Sequence, residues 1–131
     1  MAEPFIFIGT HTVKAGKFQE FEKFFAEFCE SVVEANEPRL LSFHGYANGA
    51  ENEVTVVQVH PDAESMVTHM GFITEHVSRA YAELLDGSTS RIQVYGNPRG
   101  GVVEMIESMI QQGAQVEVKA PFTGFNRLPD L

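Results

Sequence analysis

Two segments of this chain are apolar on both of their faces. Phe5 to Ile8 is an unbroken apolar run, and Val54 to Val59 is β-branched apart from Gln58. A strand of that kind is not stable with one face in water, so both faces need a cover. Between and around these strands the chain carries only two long amphipathic helical patterns, and two helices cover one face of a sheet. The other face requires a further layer, and a second copy of the same chain is the commonest supply.

The elements follow from local patterns. Phe5 to Val13 is a strand, broken by Lys14 to Lys17. Phe18 to Ala35 is a helix, with Phe18, Phe21, Phe25, Phe28 and Val32 on one stripe and Glu20, Glu22, Glu27 and Glu30 off it. Asn36, Glu37 and Pro38 end that helix, because proline disfavours helix in the residue before it. Leu40 to Ala47 and Val54 to His60 are two strands about a polar turn. A second helix starts with Asp62 as N-cap, or with His60 as N-cap and Pro61 in the first turn, and ends near Leu85, Asp86 and Gly87, with Met66, Met70, Ile73, Val77 and Leu84 as its apolar stripe and Ala80 and Tyr81 beside it. Ser90 to Gly96 is a fourth strand. The order β-α-β-β-α-β predicts an α+β, ferredoxin-like chain with two helices on one face of an antiparallel sheet.

The whole chain, 1–131, reads as one domain with a core over 4–96 and an extension over 97–131. After the break at Asn97 to Gly101 the extension predicts a short helix to Gln112. An edge strand follows over Gln115 to Lys119, with Val116 and Val118 inward. Phe122, Phe125 and Leu128 form an aromatic tail, expected to pack on the domain; a lid over a pocket or an arm on a partner chain are the alternatives.

Composition removes several classes of function. The net charge is −9, with 18 acidic against 9 basic residues and no basic cluster. That balance opposes binding to nucleic acid or to anionic membranes. Cys29 is the only cysteine, so no intrachain disulfide forms. No stretch has the length of a membrane span and the start of the chain lacks a basic signal-peptide region, so a cytoplasmic protein is expected. G-x-S-x-G, P-loop and G-x-G-x-x-G patterns are all missing.

The histidines are the candidate chemistry. His69 and His76 fall together on one border of the second helix's stripe, about 20° apart and roughly 10 Å along the axis. That distance is too long for easy chelation of one ion, and a composite site of His11, His44 or His60 is the remaining metal alternative. On the strands, Ser42, His44 and Tyr46 share a face, Gln58 and His60 share a face, and His11 shares one with Phe5 and Phe7. If those faces line an interior, they are the polar points of a small-molecule pocket. Period two alone does not decide which face is inside.

The helix from Pro61 through His69 to His76, set within this β-α-β-β-α-β order, resembles the antibiotic-biosynthesis monooxygenase family of dimeric α/β-barrel domains. The resemblance covers roughly residues 4–96, and Val116 to Lys119 with Gly124 to Leu128 is similar to longer members. It implies a homodimer with sheets packed face to face. Members include cofactor-independent oxygenases of aromatic polyketides, quinol oxygenases, haem-degrading enzymes, isomerases and stress proteins. In the haem-degrading branch a helical His works with a Trp ten residues before it and an Asn on the first strand. Here His76 matches the His, but Met66 and Gly9 stand at the other two places and the chain has no Trp. The resemblance therefore implies a cofactor-independent, metal-free monooxygenase of a small aromatic or quinol-type molecule. His76 would be base or oxyanion partner, with His69 assisting, and His44, Tyr46, Gln58, His60 and Phe72 would contact substrate. The alternative is a non-catalytic dimeric small-molecule-binding or stress-response protein of the same fold.

Overall fold

A computed structural model describes residues 3–127. Its order is β1 (Phe5–Val13), α1 (Phe18–Phe28) continuing as a π-helical segment (Cys29–Glu34), β2 (Ser42–Asn48), β3 (Glu53–His60), α2 (Ala63–Glu83), β4 (Leu85–Tyr95), α3 (Gly101–Gln111) and β5 (Gln115–Lys119). The strands form one sheet in the order β2-β3-β1-β4-β5. β1 pairs antiparallel with β3 and β4, and β2 with β3, as expected for a ferredoxin-like core. β5 pairs parallel to β4, so the sheet is mixed rather than wholly antiparallel. The cause is α3, which crosses over between β4 and β5 and brings the chain back in the same direction.

One element boundary and two registers differ from the sequence patterns. α2 ends at Glu83 and β4 begins at Leu85, because Leu84 and Leu85 are claimed by the core beside Val13, Phe21, Val54 and Ala80. β1 and β4 lose register between Thr10 and Thr12, where the partner jumps from Arg91 to Asp86. The bulge makes room for Ser90 to approach His11. In the first helix the π geometry alters the later register, so that Val33, not Val32, is buried.

The three helices lie on one face of the sheet. Phe5, Phe7, Ile92 and Val94 on that face pack with Met66 of α2 and with Val102 and Ile106 of α3. α2 is placed by its cap: Asp62 accepts from the Ser65 amide at 2.9 Å and from Arg39. The opposite face carries Ile6, Ile8, Val57 and Val59 at its centre, only half-buried, with His44 and Tyr46 exposed beside them. No described element covers it. Val116 packs against the core, but Val118 is exposed. The aromatic tail departs further from expectation: Phe122 is 95% and Phe125 77% exposed. Neither packs on its own domain, and Leu128 lies outside the described residues.

Gly45 of β2 is required by close packing. A Cβ there would stand 2.8 Å from the Phe25 ring, which is stacked on Phe43 at 5.3 Å. Gly71, on the exposed side of α2, meets nothing within 4 Å. Gly45→Ala is expected to lose about 1–3 kcal/mol through overpacking. Gly71→Ala should gain up to about 1 kcal/mol from helix propensity. Urea unfolding of both variants checks this, and equal effects would remove Gly45's special role.

Candidate functional site

Between the helices and the sheet lies a cavity of about 220 Å³. Its wall is overwhelmingly apolar: Phe21, Phe24, Phe25 and Phe28 come from α1, and Met105 and Met109 of α3 contribute as well. The polar exceptions are His11, Gln58, His69, His76 and Tyr81. α2 follows the cavity for most of its length, from Met66 to Tyr81, a span of roughly 22 Å.

His69 is fully buried and its Nδ1 lies 2.8 Å from both carboxylate oxygens of Glu37, itself only 6% exposed. Its Nε2 is buried with no hydrogen-bond partner and His69 lines the cavity. Burial holds the His69 imidazole neutral, lowering its pKa to about 4, and lifts the Glu37 carboxyl to about 7. In the ionised pair Glu37 accepts the Nδ1 proton and Nε2 is left with a free lone pair. One further proton on the pair makes Nε2 a donor.

His76 stacks on Phe28 at 4.8 Å with ring planes 24° apart, and its Nδ1 is likewise buried without a partner. Farther along the cavity, His11 Nδ1 is 2.7 Å from Ser90 Oγ and 3.3 Å from the Tyr81 hydroxyl. Burial keeps His11 neutral as well, with its pKa lowered to about 4. Gly9 keeps this corner open, since a Cβ there would come within 3.0 Å of His11 Nε2.

His60 sits behind the wall with both nitrogens engaged, by Ser65 Oγ at 2.8 Å and Gln58 Oε1 at 3.0 Å. Burial first, and then the neighbouring His69, lower its pKa to about 3. Its role in this geometry is to orient Gln58. The β2–β3 register pairs Phe43 with Gln58 and His44 with Val57. That places Gln58 on the cavity side and His44 and Tyr46 on the opposite face, away from the cavity. Phe72 is 41% exposed and not part of the wall. Because His44 faces away from His11 and His60, the composite metal site is not assembled. No group of three potential ligands suited to a metal occurs among the described residues.

Two participants escape sequence reading. Glu37 belongs to a turn that looks purely helix-ending, and only the π segment turns it under α2. The His11–Tyr81–Ser90 cluster depends on the β4 bulge, which has no local signature.

Sequence comparison finds no matching family and no curated relative. Comparison of structures finds MupZ from Pseudomonas fluorescens, with TM-score 0.71 and 20% identity over 97% of this chain and 91% of that one. SnoaB, a cofactor-independent oxygenase from Streptomyces nogalater, aligns with TM-score 0.57 and 19% identity over 76% of this chain and 97% of its own. An antibiotic biosynthesis monooxygenase aligns with TM-score 0.59 and 13% identity over 72% and 99%. The chain has the fold of the antibiotic biosynthesis monooxygenases. The match to MupZ is long enough to take in much of the α3–β5 extension, whereas the SnoaB match approximates the ferredoxin-like core. In this variant of the fold the extension supplies cavity wall through Met105 and Met109.

The buried groups make stability depend on pH. His11, His60 and His69 have folded pKa values of about 4, 3 and 4, below the ordinary 6.5. The unfolded chain therefore binds more protons below pH 6.5, and their contribution is lost as pH falls from there towards 4. Glu37 acts oppositely, because its folded value of about 7 lies above the ordinary 4.5. Three groups outweigh one. Stability is expected to fall on the order of 2–3 kcal/mol between pH 6.5 and 5. Denaturant unfolding across that range measures it, with a shallower slope in His60→Gln; a flat profile would refute the neutral imidazoles.

Proposed function

We propose that this chain is a cofactor-independent monooxygenase-type protein that deprotonates a small aromatic, quinol- or anthrone-like molecule in the cavity. The observation that carries the reading is the unpartnered, buried Nε2 of His69 in an otherwise apolar chamber. An imidazole in that state is a base with no competing hydrogen bond. The apolar wall suits a flat aromatic body, and the imidazoles fix its oxygen functions.

His69 Nε2 takes a proton from an activated C–H or O–H, and the substrate becomes a delocalised anion. Dioxygen is the co-substrate. For an anthrone methylene, one oxygen atom becomes the new carbonyl oxygen and the other leaves as water with the two hydrogens lost from carbon. His76, one of the two imidazoles on the α2 border, is positioned to donate from Nδ1 to the anionic oxygen. The pair thus divides the roles of base and oxyanion partner, with His69 as the base. SnoaB, with the same fold, is a cofactor-independent oxygenase, which supports this class of reaction.

Oxygen uptake with a quinol and anthrone panel tests the reading. His69→Gln is expected to lose about 10²–10⁴-fold in rate, and His76→Ala to lose less. Rates equal to wild type in His69→Gln would overturn the role of base. A ligand that raises the melting temperature without any oxygen uptake would instead identify a non-catalytic binding protein.

The uncovered face supports a homodimer through Ile6, Ile8, Val57 and Val59, paired sheet to sheet. Light scattering should give twice the 14.5 kDa chain mass. Ile8→Glu should give the monomer, and a wild-type monomer at micromolar concentration would remove the dimer.

A further inference from the structure

We propose that Glu37 is a positioning residue that fixes His69 in the Nδ1–H tautomer and so keeps Nε2 free to act as the base in the cavity. The assignment to catalysis rests on the reading above; the assignment of the tautomer does not.

The geometry points to one arrangement. Both Glu37 oxygens are at 2.8 Å from the same nitrogen. An ionised carboxylate accepts one N–H with both oxygens, whereas a carboxylic acid donates from one oxygen only. On the far side of the ring, Nε2 has no partner that would hold a proton there. The ring itself is fixed by Phe43 at 5.4 Å and His60 at 5.7 Å, so it has little freedom to turn over. His60 has both nitrogens engaged and competes for neither partner.

Glu37 is held by backbone. Its amide donates to the Val33 carbonyl at 3.0 Å and its own carbonyl accepts from Leu40 at 3.2 Å. Two residues on, Arg39 pairs with Asp62, the cap of α2. The turn that carries Glu37 is thus tied to the helix that carries His69 at two points. Arg39 and Asp62 are partly exposed and screened, while the Glu37–His69 contact is dry. A carboxylate in a Phe-lined layer is strongly unfavourable without a partner, and an apolar side chain would fill this place at lower cost. What Glu37 does that an apolar residue does not is choose which imidazole nitrogen carries the proton. When Nε2 accepts a proton from substrate, the same carboxylate stabilises the imidazolium that results.

Nitrogen-15 NMR of the histidine rings at pH 8, with His69 assigned by its loss in His69→Gln, reads the tautomer directly and needs no substrate. Wild type should show Nδ1 protonated and Nε2 bare. Glu37→Leu should revert to Nε2–H, the usual form of an unconstrained imidazole. If Glu37→Leu does not fold, Glu37→Gln preserves the volume and should show a mixture. Wild type with Nε2–H at pH 8 would overturn the proposal outright. Where a substrate is turned over, Glu37→Gln should lower kcat by ~10²–10⁴-fold with KM changed less than about twofold, and Glu37→Asp should restore part of it. An unchanged kcat would remove the positioning role. An Nδ1–H tautomer with no turnover of any quinol or anthrone sinks the oxygenase reading and leaves the tautomer assignment standing.

Discussion

A carboxylate and an imidazole are buried together here, and the site cannot be built without that contact. Glu37 and His69 come from parts of the chain 32 residues apart and meet where neither is accessible to water. Removing one partner would leave the other as an uncompensated polar group in a dry layer, typically a loss of several kcal/mol. The contact therefore acts as a condition on the fold: the first helix must end where Glu37 reaches α2. Arg39 and Asp62 reinforce that condition from the solvent side. The π-helical segment meets it, because its wider turns change the phase at which the helix delivers its last residues.

The cavity survives for a related reason. Much of its wall is made of rings, which do not collapse into a void as flexible side chains can. Phe25 stacks on Phe43, Phe24 on Phe28, and Phe28 on His76, so each ring blocks the movement of the next. Glycine at positions 9 and 45 lets these layers approach the sheet closely without filling the chamber. Met105 and Met109 add adaptable surface from the extension. The extension is thus part of the site's construction and not an appendage to a complete core.

Much of this order was legible before any coordinates. The stripes of α1 and α2, the two-faced strands, the Asp62 cap and the β-α-β-β-α-β succession all rest on periodicity and capping, which are local properties. The border position of His69 and His76 was legible for the same reason. What escaped was non-local. Which face of β2 looks inward is set by pairing Phe43 with Gln58, and a period-two pattern with polar residues on one face and Phe43 and Gly45 on the other carries no such information. The parallel pairing of β5 depends on where α3 sends the chain, and the β4 bulge depends on Leu85 being wanted in the core opposite Val13. Glu37 was invisible because its meaning lies in a π turn four residues earlier and in a histidine on another helix.

The wall of the chamber carries few polar groups, and apolar surface gains roughly 25 cal/mol per Å² when it leaves water. A ligand with an apolar body would cover that surface wherever it lay along the α2 face. Apolar contact alone therefore leaves the ligand free to slide. The imidazoles of His69, His76 and His11 would remove that freedom, since they line the chamber at different points and can each form a directional bond. On the proposed function the division of labour follows: ring-lined surface would supply affinity and the histidines register, with His69, kept neutral by burial as His11 is, serving as the base at one end.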